Sequence, residues 1–222
     1  ARNKEAQAVP VKQTMMEAVE AVERYATRSG PTGLATGYRL LDYWTGGLQN
    51  GELIILAARP SMGKTSLMMG MAQHVAMSGK RVYVCSLEMT RLQLALRMLC
   101  SYAMVDSHRV RTGRADIDEL ARLVKAAEGL SHANLLINDT TTDLMELLAA
   151  VKREAHYTRI DLVAIDYLQL VGTRYARGES RDREVGMITK QLKALAKELN
   201  VPVLCLSQLS RVNEMQKVKE PT

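Results

Sequence analysis

LIILAARPSMGKT, residues 53–65, joins an apolar strand to the start of a helix through a short turn. Its first half, Leu53–Ala58, is a continuous apolar run, which is typical of a parallel strand buried on both faces. Its second half ends in Gly-Lys-Thr and leads into a helix predicted over 65–78, which Gly79 closes. In such a turn the backbone N–H groups converge on phosphate oxygens, and the helix N-terminus adds positive potential. The segment therefore predicts a phosphate-binding loop, although Ala58 stands where the first Gly of such a loop is usual.

The rest of the chain continues as strands that alternate with helices. Further strands are predicted at 82–86, 135–138, 161–165 and 201–207, and further helices at 90–105, 116–130, 143–157 and 181–199. Thr90 and Gln93 have the spacing of a capping box at a helix start, and Asp143 and Glu146 are equally spaced. Strands separated by helices imply right-handed crossovers, so we expect an α/β fold with a mainly parallel sheet flanked by helices on both faces.

The N-terminal residues 1–33 are predicted to form a linker that is separate from the rest of the chain. Residues 14–28 have apolar side chains at helical steps and glutamates on the opposite side, namely Met15, Ala18, Val19 and Val22 against Glu17, Glu20 and Glu23. Residues 29–33, SGPTG, then break the helix. Because an isolated amphipathic helix needs a partner surface, we expect this one to dock elsewhere in an assembly. Residues 34–222 form the second predicted unit.

The phosphate-binding loop supplies the candidates for holding a nucleotide. Lys64 would reach the β- and γ-phosphates, and the hydroxyl of Thr65 would hold Mg²⁺. The full set of candidate cofactor-binding residues is Arg59, Ser61, Met62, Gly63, Lys64, Thr65 and Ser66. The alternative is a turn that contains Gly-Lys-Thr by chance, and the strand–turn–helix context argues against it.

Three more polar residues follow predicted strands, at the edge where open α/β sheets place ligands. Asp166 ends the apolar run LVAI and would bind Mg²⁺ opposite the Thr65 side. Glu88 follows residues 82–86 and would take a proton from an attacking water, or would simply be an acid at a helix start. Gln208 would hydrogen-bond the γ-phosphate, or would simply be a polar strand end. Because all of them fall at one edge of one sheet, we predict that they converge on a single site.

The composition excludes several classes of protein. No apolar run approaches the ~20 residues that a membrane helix needs, and residues 1–12 lack the apolar stretch of a secretory signal. Three widely spaced cysteines exclude a disulfide scaffold and fit a reducing compartment, and the four histidines share no metal-ligand spacing. The net charge of +6 permits a nucleic-acid partner, while the lack of Phe and the single Trp argue against a ladder of stacked aromatic rings.

Four segments, in this order, resemble the replicative DNA helicase family of bacteria and phages, the DnaB-like helicases. They are ARPSMGKT at 58–65, SLEM at 86–89, IDYLQL at 165–170 and SQLSR at 207–211. Residues 36–53 are also similar to the beginning of that family's motor domain. The resemblance runs from about Val11 to the last residue, and the motifs are highly specific in combination.

The resemblance implies a RecA-like P-loop NTPase motor domain over residues 34–222 that forms a ring hexamer, with ATP between subunits and single-stranded DNA in the central channel. Such a motor hydrolyses ATP to translocate and unwind duplex DNA during replication. It implies a cytoplasmic protein, in a bacterium or a phage host, with primase and a helicase loader as further partners. The helix at 14–28 resembles the linker that docks on an adjacent subunit.

The resemblance also implies roles for the candidate site residues. Lys64 and Thr65 are the nucleotide and Mg²⁺ residues, and Glu88 is the catalytic base. Asp166 is the Mg²⁺-linked acid, and Gln208 couples the γ-phosphate to the DNA side. Lys64, Glu88, Asp166 and Gln208 form the candidate catalytic group.

The basic residues that follow Asp166 are the candidates for DNA contact. Residues 174–183, RYARGESRDR, carry four arginines and two acids at a position that would face the channel of a ring motor. A solvated loop before a helix explains the same charges, so both alternatives stay open. The candidate DNA-binding residues are Arg174, Arg177, Arg181, Arg183 and Arg211.

The sequence departs from the family pattern at both ends. The family has an arginine finger and a DNA-contacting loop beyond the SQLSR segment, and a helical domain before the linker. We therefore expect a fragment that binds nucleotide but hydrolyses it weakly, because a finger supplied in trans is worth ~10³–10⁵ in rate. Two other functions remain open: a recombinase-like ATPase that forms open filaments, and an assembly module in which nucleotide is only structural.

Overall fold

The computed structural model describes residues 8–27, 30–141, 143–166 and 181–209, and it leaves the side chains of residues 181 and 182 undescribed. The helices are α1 (Val11–Thr27), α2 (Arg39–Thr45), α3 (Lys64–Met77), α4 (Arg91–Ala103), α5 (Ser107–Arg111), α6 (Ile117–Ser131), α7 (Leu144–Tyr157) and α8 (Arg181–Leu199). The strands are β1 (Leu53–Ala58), β2 (Val82–Ser86), β3 (Leu135–Asn138), β4 (Leu162–Asp166) and β5 (Val203–Gln208).

The five described strands form one sheet in the order β1-β5-β4-β2-β3, and every pair is parallel. This confirms the predicted α/β fold with a parallel sheet. The register pairs Ser86 with Asp166, and Ala58 with Gln208, which are the last residues of their strands. The carboxyl ends of four strands therefore meet at one edge of the sheet, called here the carboxyl edge.

Helices cover both faces of the sheet, because the side chains of the central strands alternate between two cores. In β2, Val82 and Val84 pack with Met68 of α3 on one face. Tyr83 and Cys85 pack on the other face with residues of α7 and α8, such as Leu192. Two-sided burial explains why these strands appear in the sequence as continuous apolar runs.

The helix starts follow the capping signals in the sequence. Thr90 accepts a hydrogen bond from the backbone N–H of Gln93, whose side chain accepts one from Thr90 N–H, so the predicted capping box is confirmed. Asp143 caps α7 by accepting from the N–H groups of Met145 and Glu146. These caps satisfy N–H groups that have no partner inside the helix.

Several predicted boundaries were wrong by a few residues. The predicted helix at 90–105 ends at Ala103, because Met104 adopts a left-handed conformation with φ 54° and its N–H returns to the carbonyl of Cys100. Strand β4 begins and ends one residue later than predicted and so includes Asp166. Strand β5 begins two residues later and ends one residue later than predicted, so it includes Gln208. The short helices α2 and α5 were not predicted.

Helix α1 begins three residues earlier than the predicted 14–28, and Arg28 lies outside the described residues. None of its side chains is buried, and Met15, Val19 and Val22 expose 55%, 58% and 64% of their surface. The predicted division into a linker at 1–33 and a motor at 34–222 stays a prediction. Within the described parts of the chain, every helix is too short or too polar to cross a membrane.

Candidate nucleotide-binding site

The loop between β1 and α3 has the backbone shape of a phosphate cradle. Ser61 and Gly63 have φ values of 62° and 84°, the left-handed region, and a Cβ on Gly63 would meet no atom within 4 Å. Glycine is needed there because of the backbone angle and not because of crowding. Ser61, Met62 and Gly63 are exposed, and so is Ser66 in the first turn of α3. A ligand can therefore reach the N–H groups at the start of the helix.

Lys64 is held close to this loop by its own chain. Its Nζ donates a hydrogen bond to the carbonyl oxygen of Arg59, 3.2 Å away. The ammonium group is thus folded back over the loop whose N–H groups would hold phosphate. Arg59 and Lys64 together supply positive charge at the place where the sequence predicts the phosphates.

Thr65 and Asp166 meet across the carboxyl edge. The Thr65 hydroxyl donates to Asp166 Oδ2 at 2.8 Å, although 101 positions separate the two residues. Asp166 is only 1% exposed. Burial raises the pKa of Asp166 above its ordinary value, the hydrogen bond from Thr65 lowers it, and the nearby Glu88 carboxylate raises it again.

This pair fits a Mg²⁺ ion. A hydroxyl and a carboxylate are the oxygen ligands that Mg²⁺ prefers, and the ion usually keeps several waters and binds substrate phosphates as well. A buried carboxylate whose pKa is raised by desolvation gains from a cation beside it, because the cation stabilises the ionised form. The site therefore favours a divalent cation next to the phosphate loop.

Glu88 lies on the loop that connects β2 to α4. Its neighbour Leu87 donates its backbone N–H to the carbonyl oxygen of Asp166 at 2.8 Å, so the loop is attached directly to the end of β4. The Glu88 side chain is exposed, and its charge acts on Asp166. Glu88 therefore lies at the carboxyl edge, close to Asp166.

Gln208 ends strand β5 beside the start of the phosphate loop. It pairs with Ala58, and the next residue, Leu209, donates its N–H to the Ala58 carbonyl oxygen at 3.2 Å. Gln208 is exposed. The structure thus brings Thr65, Glu88 and Asp166 together and places Gln208 at the same edge, one strand away from Asp166.

The candidate DNA-binding residues mostly fall outside the part of the chain that the structure describes. Arg174, Arg177 and Arg211 are outside it, and so is the side chain of Arg181. Arg183 is described, and it is an exposed residue near the start of α8. Its role in binding DNA stays a prediction.

One charged residue near the site was not among the predicted site residues. The positive charge of Arg97, in α4, lowers the pKa of Asp166. Arg97 also lines a cavity of about 540 Å³ between α3 and α4, together with Ser66 and Gln93. The available signal was its position on α4, one helical turn beyond Gln93 of the capping box. The sequence alone does not show that Arg97 lies near Asp166, because this depends on how α4 packs beside the sheet.

The parallel sheet, the loop ending in Gly-Lys-Thr and the acid at the end of β4 define the class: this is a P-loop nucleotide-binding protein with a RecA-like fold. The family model described as "DnaB-like helicase C terminal domain" matches residues 33–222, and the chain belongs to that family.

Curated relatives agree with this assignment. The chain is 38% identical to replicative DNA helicase DnaB of Geobacillus stearothermophilus, over 95% of its own length and 47% of that protein. It is 40% identical to replicative DNA helicase DnaB of Haemophilus influenzae, over 96% of its own length and 46% of that protein. The chain thus spans about half the length of these curated relatives.

Solved structures agree as well. One solved structure, described as an ATPase domain, superimposes with a TM-score of 0.85 at 27% identity, covering 97% of this chain and 77% of that one. A DnaB-like replicative helicase, described with its interactions with primase, gives a TM-score of 0.83 at 27% identity, covering 99% of this chain and 53% of that one.

Proposed function

We propose that this chain is the ATP-driven motor of a replicative DNA helicase. The observation that carries the proposal is the hydrogen bond between Thr65 and Asp166, at the end of a phosphate-binding loop and beside Glu88. Phosphoryl transfer depends on positioning and charge stabilisation, and these are the groups that supply both. The relatives that share the fold are named replicative DNA helicases.

Each residue of the site has a defined part in ATP hydrolysis. The loop N–H groups and Lys64 bind the phosphates, and Thr65 and Asp166 hold Mg²⁺. When bound, Mg²⁺ neutralises charge on the terminal phosphates. Glu88 takes the proton from the attacking water, a step that typically contributes ~10²–10⁴-fold to the rate. Gln208, at the end of β5, senses the terminal phosphate and transmits its loss to the DNA side.

Helix α1 supports assembly into a homo-hexamer with ATP at the subunit interfaces. Its apolar residues Met15, Val19 and Val22 are more than half exposed, and a helix with such a stripe is stabilised by packing against another surface. We assign that surface to a second copy of the chain. The hexamer ring then encloses single-stranded DNA.

The proposed setting is DNA replication in the cytoplasm of a bacterium or of a phage host. A structural relative is described with its interactions with primase, and we propose primase and a helicase loader as partners of this protein too. The net charge of +6 is compatible with binding a single strand by its phosphates.

The direct test is the ATPase rate with and without single-stranded DNA. The protein used carries this chain together with the other segments present in its longer relatives. We expect single-stranded DNA to raise the rate, and the protein to unwind a forked duplex with ATP. An ATPase rate that DNA leaves unchanged contradicts the motor function and favours the assembly module.

The hexamer has its own test, which is the mass of the same protein with ATP and Mg²⁺. Val19→Glu places a charge in the apolar stripe of α1 and should shift the mass from the hexamer to smaller species. The matched control is Glu20→Gln, on the opposite side of the same helix, which should keep the hexamer. Equal masses for both variants would exclude α1 from the interface, and an open filament in electron micrographs would favour the recombinase-like alternative.

A further inference from the structure

The loop that carries Glu88 is fixed at several points by hydrogen bonds. Ser86, which is only 2% exposed, donates its hydroxyl to the carbonyl oxygen of Met89 at 2.6 Å and accepts from the Met89 N–H at 3.2 Å. Leu87 N–H binds the end of β4, as described above. The Thr90 capping box then starts α4. The backbone on both sides of Glu88 is thus tied to the sheet and to the helix.

One of these ties comes from a residue distant in sequence. Asp139 follows the last residue of β3, and its Oδ2 accepts a hydrogen bond from the backbone N–H of Arg91 at 2.8 Å. Arg91 is the first residue of α4, three positions after Glu88. The register pairs Asn138 with Cys85, so Asp139 lies beside the end of β2. Strand β3 therefore fixes the helix start that follows the candidate base.

The Glu88 carboxylate has no such tie of its own. Among the described residues, none is hydrogen-bonded or ion-paired to it, and the side chain is exposed. Within the described part of the chain, the position of this carboxylate is therefore set by its backbone. A general base must lie within hydrogen-bond reach of the proton it takes, and an error of about 1 Å costs ~10²-fold in rate.

We propose that Asp139 is a positioning residue for ATP hydrolysis. It holds the first N–H of α4 and thereby fixes the backbone that presents Glu88 to the attacking water. This inference rests on the proposed function, because it gives Glu88 the role of base. It adds an edge strand of the sheet, β3, to the elements that organise the site.

The first test is the kcat and KM of Asp139→Ala in the DNA-stimulated ATPase assay described above. We expect kcat to fall roughly 10–100-fold, with KM and the Kd for ATP changed less than about twofold, because the phosphate loop is untouched. Asp139→Asn keeps an acceptor oxygen and should restore kcat to within about threefold of the original protein. A kcat for Asp139→Asn as low as that of Asp139→Ala would overturn the proposal.

A matched control separates positioning from ordinary helix capping. Asp116 is the N-cap of α6, where it accepts from the N–H of Glu119 at 2.8 Å, and it has no hydrogen bond to the Glu88 loop. Asp116→Ala should lower the melting temperature as Asp139→Ala does, but should leave kcat within about twofold of the original protein. If both variants lose kcat equally, Asp139 is only a helix cap.

The same hydrogen bond can be removed from its donor side. Proline is favoured at the first position of a helix and lacks the N–H, and Thr90, with φ −69° and ψ 154°, already has the conformation that precedes proline. The kcat of Arg91→Pro should be lower than that of Arg91→Ala. The factor should equal the one by which Asp139→Ala lowers kcat relative to the original protein. Equal kcat for the two Arg91 variants would contradict the proposal, even if Asp139→Ala fails to fold.

A double variant separates this inference from the proposed function. Glu88→Gln should keep ATP binding and lose turnover, and adding Asp139→Ala to it should cause no further loss, because no base is left to position. If Glu88→Gln keeps its turnover, the base assignment in the proposed function fails, and the inference fails with it. If Glu88→Gln loses turnover but Asp139→Ala keeps it, only the inference fails.

Discussion

Charged groups are arranged differently at the carboxyl edge of the sheet and at the opposite edge, called here the amino edge. At the carboxyl edge, Lys64 lies over an exposed loop, Asp166 is buried beside one hydroxyl, and Glu88 faces solvent. At the opposite edge, where the strands begin, Arg81 pairs with Glu154 at 2.6 Å, and its backbone N–H binds Asp161 Oδ2 at 2.9 Å. At the amino edge the Arg81 and Glu154 charges pair with each other, although the buried Nε of Arg81 has no hydrogen-bond partner among the described residues, whereas the carboxyl edge has its groups placed around an exposed loop.

Groups that stabilise the fold and groups of the candidate site thus lie at different edges of the sheet. The Arg81–Glu154 pair is only 21% and 31% exposed and joins β2 to α7, so it contributes to holding the fold together. Asp166 is buried with a raised pKa, which costs stability until a cation compensates it. Substitutions at the two edges should therefore affect different measurements.

The largest expected effect is at the carboxyl edge. Lys64→Ala removes the ammonium group that we propose to bind the phosphates, so we expect the Kd for ATP to rise, and ATP turnover to fall, by about 10² or more. Isothermal titration with ATP and Mg²⁺ measures the first change. Lys80→Ala, an exposed lysine beside β2 at the amino edge, is the control that should keep the original Kd. Similar affinities for the two variants would remove Lys64 from the site.

A smaller effect is expected from the amino edge. Glu154→Ala leaves the partly buried Arg81 charge without its ion-pair partner, and we expect a loss of about 1–3 kcal/mol in the free energy of unfolding. This corresponds to roughly 2–4 °C in melting temperature for each kcal/mol in a domain of this size. ATP affinity at low temperature should not change, because the phosphate loop is at the other edge.

Glu198→Ala is the matched control for that prediction. Glu198 pairs with Lys152 at 2.8 Å, but the two side chains are 55% and 45% exposed. Exposed ion pairs contribute about 0–1 kcal/mol, so this variant should melt close to the original protein. If Glu154→Ala melts no lower than Glu198→Ala, the Arg81–Glu154 pair does not stabilise the fold.

The smallest expected effect is a change in melting temperature at Asp166, because burying its ionised carboxylate costs stability. Because burial raises its pKa, the folded protein binds this proton more tightly than the unfolded chain, and its contribution to stability is lost as pH rises through the folded-state pKa. Asp166→Asn removes that cost. Without nucleotide or Mg²⁺ it should melt above the original protein at pH 7, by about 2–4 °C for each kcal/mol relieved.

The pH dependence of that difference is the sharper measurement. Below the ordinary pKa of 3.8 the carboxyl group is protonated in both the folded and the unfolded state. The gain from Asp166→Asn should therefore shrink as the pH falls and vanish below that value. Melting curves at several pH values check this, and a variant that melts lower than the original protein at pH 7 would contradict it.

The sequence predicts what depends on neighbours along the chain. The bounds of β1, β2, β3 and α8 agree with the structure, because the residue patterns that predict them lie within the elements themselves. The parallel direction of the strands follows from their alternation with helices. The phosphate loop was predictable for the same reason, since Gly63, Lys64 and Thr65 are consecutive.

Other features depend on contacts between distant segments and were not predicted. Helix α2 begins after Tyr38, which makes no side-chain cap, so its start has no sequence signal. The bond from Arg91 N–H to Asp139 joins positions 48 apart and exists only because β3 lies next to β2. The proximity of Arg97 to Asp166 likewise requires the position of α4 relative to the sheet.

The structure of this protein bound to a non-hydrolysable ATP analogue and Mg²⁺ would test the ATP site most directly. We predict that Lys64 Nζ lies within about 3 Å of a terminal phosphate oxygen. Mg²⁺ should lie between Thr65, Asp166 and the phosphates, with Glu88 and Gln208 facing the terminal phosphate. An analogue bound away from the carboxyl edge, or bound there with Glu88 and Gln208 both turned away from it, would contradict the proposal that these residues form one ATP site.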